Sequence, residues 1–434
     1  MPRRSTFSSR DGITGAGGPA AVDVDTPALQ RVGWAFVVLY TLAFVSTCLV
    51  LIAPLLVTLA LKIDGLLGPR AAPGGLALVT AVGALVAMVG NPFFGRMSDR
   101  TSSRLGMRRP WMVIGFAGGT VGVLIVAVSP SIPIVLVGWC IAQLFFNALL
   151  AVLVAVLPDQ VPAAQRGLVA GVLGVCVPIA SVTGTFVVQL FAPNQLGMFL
   201  APCAIGGVFI LLFAATLQDR RLAPADRPRW SLRELLTTFY LDPRRNRDFA
   251  WAFASRFLFV LAYAFLVTYQ AYYLLSRFHG ADGDVARQVF LGTLVQSVLV
   301  VIASLVGGRI SDRSGRRKVF VVTAAIVYGL ALFLIAAAAD FNGFLVGMAL
   351  GGLGYGVYLA VDLALVADVL PDRRTAAKNL GVFNIAGALP FSIAPAIAAA
   401  VLALTSGNYA ALYAVAGVCA VLAAGAILPV RRVR

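Results

Sequence analysis

Apolar positions in this chain come in long unbroken runs, with neither the strict alternation of half-buried strands nor the narrow stripe of a surface helix. A helix needs about 20 apolar residues to cross roughly 30 Å of hydrocarbon. Twelve runs meet that length: 33–61, 74–98, 110–128, 131–157, 166–192, 197–217, 248–275, 287–311, 317–338, 342–370, 378–403 and 409–428. Barrel strands would instead alternate over about ten residues. Helices satisfy their own backbone in lipid, so the pattern predicts an all-α integral membrane protein with 12 transmembrane helices. Composition agrees: 60% of the 434 residues are apolar without counting glycine, and 12% are charged. Ordinary soluble domains reach about 45–50% apolar with glycine included. A soluble globule, a disordered chain, a coiled coil and collagen are all excluded.

Charge changes the picture only through its placement. The formal charge of +16 would suit a nucleic-acid binder if the basic residues formed one patch. They lie instead on alternate loops. With the amino terminus inside, 29 of the 34 Lys and Arg fall on inner segments and span ends, and four (Lys62, Arg70, Arg277 and Arg287) fall on outer loops. This asymmetry orients membrane proteins, so both termini are expected on the cytoplasmic side of a plasma (inner) membrane. Nucleic acid is not an expected partner; the lipid bilayer is. Residues 1–28 read as a disordered cytoplasmic tail, without the apolar core and cleavage site of a signal peptide. All five cysteines fall within spans, lack metal-ligand spacing and read as packing residues. No metal site, catalytic constellation or cofactor motif stands out.

The chain repeats itself. Gly95-Arg96-Met97-Ser98-Asp99-Arg100 recurs as Gly308-Arg309-Ile310-Ser311-Asp312-Arg313, and Leu157-Pro158-Asp159 recurs at the same offset as Leu370-Pro371-Asp372. The longest hydrophilic stretch lies between spans 6 and 7. The expected organisation is a six-helix half over 29–217, a cytoplasmic linker over 218–247 and a second half over 248–434, in pseudo-twofold parallel repeat. Membrane proteins so built bind a solute between their halves near the bilayer midplane and rock one half against the other.

Gly95-x3-Asp99-Arg100 followed by Gly106-Met107-Arg108-Arg109, and Gly308-x3-Asp312-Arg313-x-Gly315-Arg316-Arg317-Lys318, resemble the loop signature of the major facilitator superfamily. The longer first loop, ending in Arg-Arg-Pro-Trp111, is similar to that of glycoside–pentoside–hexuronide symporters and the related sucrose transporters. The resemblance implies alternating access and an inner-face latch of Gly95, Asp99, Arg100, Arg108, Arg109, Gly308, Asp312, Arg313, Arg316 and Arg317. Physically, an Asp at a helix carboxyl end opposes the macrodipole unless a cation neutralises it, and arginine can bridge to another helix. The alternative is that these charges only mark the inner face.

Ionisable groups inside spans are costly and default to function. Arg256 and Asp362 each lie about 12 Å from the inner boundary, counting 1.5 Å per residue. In the superfamily fold spans 7 and 10 both line the central cavity, so the two residues are expected to form an ionic centre. Two readings stand: a static salt bridge, or an ion-coupling site with Asp362 as the proton carrier. Around them polar residues recur at helical spacing. Span 10 presents Tyr355, Tyr358 and Asp362; span 7 presents Arg256, Tyr263 and Gln270; span 4 presents Gln143 and Asn147; Gln296 and Asn384 stand in spans 8 and 11. Amides and phenols suit a polyhydroxylated or zwitterionic solute, or else act as interhelical glue worth about 0.6 kcal/mol each. Glycines 347, 351, 352, 354 and 356, with Gly167 and Gly171, read as close helix packing or as a flexing gate.

The sole histidine, His279, falls in an outer loop and offers no buried relay. Melibiose-type symporters carry acidic residues in spans 2 and 4 for their cation, and this chain has none there, so a sodium site of that type is not expected. The expectation is a monomeric secondary transporter, not an enzyme, moving a small polar solute, a sugar or glycoside, with protons. An exporter of amphipathic compounds is the alternative, and a non-transporting sensor a remote third. Asp99→Asn and Asp312→Asn are each expected to slow solute flux in proteoliposomes while membrane insertion stays intact; wild-type rates in both would remove the latch.

Overall fold

A computed structural model describes residues 31–219, 246–278, 282–369 and 376–430. The tail at 1–28, nearly all of the linker, and His279 lie outside the described residues. Twelve helices long and apolar enough to cross a membrane are present among those described. They are α1 (Trp34–Leu67), α2 (Ala72–Asp99), α3 (Arg109–Val128), α4 (Ile132–Gln160), α5 (Ala164–Phe191), α6 (Gln195–Thr216), α7 (Arg247–Phe278), α8 (Asp282–Ser314), α9 (Arg317–Ala337), α10 (Phe341–Val369), α11 (Ala376–Leu404) and α12 (Tyr409–Ile427). Each coincides with one predicted run to within a few residues, because helix length follows hydrocarbon thickness.

Helices α1–α6 pack on one another and α7–α12 do the same, with equivalent pairs in the two halves: α3 on α4 matches α9 on α10, and α1 on α6 matches α7 on α12. The halves meet along α2 against α11 and along α5 against α8. Residues 31 and 430 both follow helix ends on one face of the bundle, the terminal face; the other is the far face.

Lipid is as apolar as leucine, so close backbone approach and satisfied polar groups hold such a bundle together. A Cβ placed on Gly122 of α3 would lie 2.4 Å from the Ala142 backbone nitrogen of α4. One on Gly356 of α10 would lie 2.4 Å from the Val300 carbonyl oxygen of α8. Gly347, Gly352, Gly354 and Gly356 of span 10 are therefore packing surfaces, whereas Gly351 has room for a Cβ. Gly167 and Gly171 meet nothing within 4 Å, and Gly95 and Gly308 have room for a Cβ, so close approach does not explain those four. Buried hydroxyls tie helices by donating to neighbouring carbonyls: Tyr40 to Leu153 at 2.7 Å, Tyr273 to Ile335 at 2.6 Å and Ser255 to Ala423 at 2.8 Å.

Lys62 departs from expectation. Placed by the sequence in an outer loop, it lies within α1, 7% exposed, and its ammonium donates to the Ala127 carbonyl at the end of α3. A cation at a helix carboxyl end neutralises the macrodipole there, which lets α1 run on to Leu67 past the apolar run.

Candidate functional site

Proline interrupts α1 at its middle. Pro54 has no backbone N–H to give, and Pro54–Thr58 is wound as a π-turn, a form concentrated at functional sites. That turn aims consecutive residues at two cavities on opposite sides of α1.

The larger cavity, about 610 Å³, lies between the halves and is walled by α1, α2, α4, α7 and α11. Its lining is largely apolar, including Ile52, Leu55, Met88, Trp139 and Phe391. Polar groups enter mainly from the first half: Asn91, Arg96, Gln143 and Asn147. Asn147 donates through Nδ2 to the Gln143 side-chain and backbone oxygens, at 3.0 and 2.8 Å. The Trp139 ring lies against Gly83, where a Cβ would come within 2.4 Å of the indole, and its buried Nε1 has no partner among the described residues. The cavity runs from mid-bundle to Arg96, one turn from the terminal-face end of α2.

The smaller cavity, about 140 Å³, lies on the α5–α8 side. Leu56 and Val267 face it, while their chain neighbours Leu55 and Thr268 face the larger one, so α1 and α7 form the partition. Its lining is mixed: Ser181, Tyr263, Gln270, Thr293, Gln296 and Tyr355 stand beside Leu56, Val177, Val267 and Leu359. The Gln296 Nε2 is buried without a partner among the described residues.

Arg256 and Asp362 do pair, at 2.5 Å. The guanidinium also lies 4.9 Å from the centre of the Phe383 ring, a cation–π contact. Two stacked ring pairs extend the contact between antiparallel α7 and α10: Phe259 on Tyr358 at 3.6 Å and Tyr263 on Tyr355 at 4.3 Å. Tyr358 and Tyr263 thus serve a zipper inside the second half. Neither Arg256, Asp362 nor Tyr358 lines either cavity. The expectation that the ionic centre borders the solute cavity is therefore corrected: helix rotation turns that face of α10 onto α7.

The first signature loop is organised by Arg108, 5% exposed. Its guanidinium pairs with Asp99 at 2.7 Å and with Asp159 at 2.8 Å and donates to the Ser98 hydroxyl at 2.7 Å. Asp219 accepts from the backbone N–H groups of Arg108 and Arg109, at 2.5 and 2.9 Å, where an anion meets the amino end of α3. Arg109 donates to the carbonyls of Ala214 and Ala215 at the carboxyl end of α6. Gly106 sits at φ +103°, with the Asp219 carboxylate where a Cβ would be, so only glycine fits there. Asp99, Asp159, Ser98, Ala214 and Ala215 belong to the first half and Asp219 to the start of the linker, so these contacts bind α2, α3, α4 and α6 together. In the second copy Arg313 and Arg316 are exposed, the Asp312 side chain lies outside the described residues, and Lys318 donates to the Leu428 and Val430 carbonyls after α12.

Closure between halves occurs on the far face. The Tyr272 hydroxyl of α7 donates to the Ala60 carbonyl of α1 at 3.0 Å and lies 3.5 Å from the Ala72 carbonyl of α2. Tyr272 also borders a far-face vestibule with Asp64, Arg70 and Tyr409.

The sequence-derived solute residues are thus divided. Gln143 and Asn147 line the large cavity; Tyr263, Gln270, Gln296 and Tyr355 line the small one; the Asn384 side chain lies outside the described residues. Sequence reading missed Arg96, Asn91, Trp139, Thr268 and Phe391 in the large cavity, and Tyr272. Arg96 was visible inside the repeated motif. The apolar residues carried no signal separating cavity from lipid.

Two six-helix halves around a central cavity closed at one face define a solute carrier. The Major Facilitator Superfamily model matches residues 34–298 and 286–434, and the chain belongs to that family of membrane transporters. Its fold is similar to that of the nucleoside transporter NupG, with a TM-score of 0.71 at 14% identity, covering 90% of this chain and 98% of that one. A D-xylose–proton symporter gives 0.68 at 14% identity, over 92% and 98% of the two chains. By sequence, the multidrug resistance protein MdtL of Klebsiella pneumoniae is 43% identical over 82 residues, 19% of this chain and 20% of its own length. MdtL of Escherichia coli is 34% identical over 140 residues, 30% of this chain and 34% of the relative. The chain thus spans about a fifth to a third of the length of these curated relatives in the matched stretches.

Asp362→Asn is expected to lower stability in detergent by about 3 kcal/mol or more, because it leaves a buried guanidinium unmatched. Adding Arg256→Gln should recover most of the loss; a double variant that melts no higher than the single one would show that the pair carries no such cost. Tyr272→Phe removes one inter-half hydrogen bond, worth about 0.5–1.5 kcal/mol. A cysteine at Thr268, in a background lacking the native cysteines, should then react about two- to tenfold faster with an impermeant maleimide added at the far face. An unchanged rate would show that Tyr272 does not hold that face shut.

Proposed function

We propose that this transporter moves an amphipathic organic solute by alternating access, through the cavity between its halves. The observation that carries the reading is the wall of that cavity. At about 610 Å³ it has room for a drug-sized molecule, and its lining is mostly Leu, Ile, Ala, Met, Trp and Phe. Amides on one side orient the solute, while the apolar remainder accepts a body without demanding a fixed hydrogen-bond pattern. The local likeness to multidrug resistance proteins is consistent with it.

The terminal face is the cytoplasmic one on the distribution of Lys and Arg, so the structure, shut at Tyr272, corresponds to an inward-facing state of a plasma-membrane (inner-membrane) protein acting as a monomer. The signature loop acts as a latch by keeping α2, α3, α4 and α6 one rigid body while the halves rock. Protons are the coupling ion, and Asp362, paired with Arg256 inside α10, is their carrier; its protonation would free Arg256 and loosen the α7–α10 zipper.

A second reading, a sugar or glycoside symporter, is favoured by the Gln143–Asn147 pair and by the amides, hydroxyls and phenols among the residues lining the small cavity. The residues that suit hydroxyls best enclose only about 140 Å³, less than a quarter of the space in the apolar-walled cavity, which is why it ranks second.

Proteoliposome flux of fluorescent amphiphiles and of radiolabelled sugars, each with and without a pH gradient, tests the order. Amphiphile flux stimulated by the gradient and no sugar flux is the expected result, with gradient stimulation lost in the Arg256→Gln, Asp362→Asn double variant. Sugar flux without amphiphile flux would reverse the two readings.

A further inference from the structure

Among the described residues, one charge lines the large cavity. Arg96 is the only ionisable side chain among the described residues lining it, and no Asp or Glu faces it. Other buried or half-buried arginines nearby are occupied: Arg108 by Asp99 and Asp159, Arg109 by the end of α6, Arg256 by Asp362. Arg96 makes no hydrogen bond or ion pair with a described residue. Its counterpart in the repeat, Arg309, is exposed and bonds back to the Leu305 carbonyl at 3.2 Å. Marking the inner face needs only a basic residue near the helix end, which Arg100 and Arg104 already supply; it does not need one turned into the cavity.

We propose that Arg96 is the anion-recognition residue of the central cavity, and that the solute is an amphipathic organic anion. Its carboxylate, sulfonate or phosphate group would meet the Arg96 guanidinium while its apolar body lies against Leu55, Trp139 and Phe391. This rests on the amphiphile reading above and narrows it. A planar guanidinium offers parallel N–H donors matched to two oxygens of such a group. A single positive charge between low-dielectric walls concentrates anions in the cavity and disfavours cations. An arginine within a span that faces a cavity, without a partner among the described residues, is an expensive placement that a ligand would relieve.

The test uses the full chain and a matched pair of tritiated probes, 2-naphthylacetate and its neutral amide, in equilibrium binding and proteoliposome counterflow. Wild type is expected to prefer the carboxylate. Arg96→Gln should weaken carboxylate binding about ten- to a hundredfold, the usual range for a charge-assisted hydrogen bond, with amide binding unchanged. Arg96→Lys should keep a partial preference, and Arg309→Gln should change neither. Equal wild-type affinity for the two probes, or an Arg96→Gln variant that weakens both alike, would overturn the anion assignment and leave the amphiphile reading standing. Should Arg96→Gln bind neither probe, Arg96→Lys decides: a retained carboxylate preference supports the proposal and its absence overturns it. Failure of wild type to bind either probe would remove the amphiphile reading and this inference with it.

Discussion

Inside a bilayer no water waits to take up an unmatched polar group, and the arrangement of this protein follows from that constraint. Each deep charge has found a partner of the right kind. Arg256 has Asp362 and an aromatic face. Lys62 has the carboxyl end of α3, and Arg108 has two carboxylates. Tyrosine and serine hydroxyls reach across to the carbonyls of neighbouring helices. These contacts choose among packings that apolar surfaces alone would leave nearly equal in energy, because leucine gains nothing by leaving lipid for leucine.

The same constraint makes the exceptions informative. Two buried polar atoms without a partner among the described residues border a cavity, the Trp139 indole at the large one and the Gln296 amide at the small one, while the Tyr328, Tyr413 and Ser392 hydroxyls are buried away from both. The interrupted middle of α1, where Pro54 lacks a backbone donor, lies between the two cavities, with Leu55 facing one and Leu56 the other. Repeated halves do not make repeated chemistry. Asn147 corresponds to Ala360, and inward-facing Arg96 to outward-facing Arg309, so the first half supplies the polar wall of the cavity and the second its buried ion pair.

The two halves also use their buried charge differently. In the first, the signature loop joins four helix ends at one face, with cations on helix carboxyl ends and an aspartate on an amino end. In the second, the ion pair and ring stacks clamp α7 to α10 deep in the bundle. Contact between the halves runs along α2–α11 and along α5–α8, where Phe186 meets Phe290, and through the Tyr272 hydroxyl.

The amino-acid sequence by itself determined the twelve helices, the repeat of a six-helix half, and the common depth of Arg256 and Asp362. Each of these follows from one-dimensional quantities: run length against bilayer thickness, motif spacing, and depth counted at 1.5 Å per residue. It also showed the Gln143–Asn147 pair, since residues four apart share a helix face. Only the tertiary structure decided which polar faces meet a cavity. Tyr358 was grouped with the solute residues and stacks on Phe259; Lys62 was placed outside and is buried; Arg108, read as part of an inner-face latch, joins helix ends within the first half. Trp139 and Phe391 gave no signal at all. The reason is physical: an apolar side chain facing lipid, a neighbouring helix or a solute cavity reads the same along the chain, and helix rotation within the bundle, set by distant packing contacts, chooses among the three.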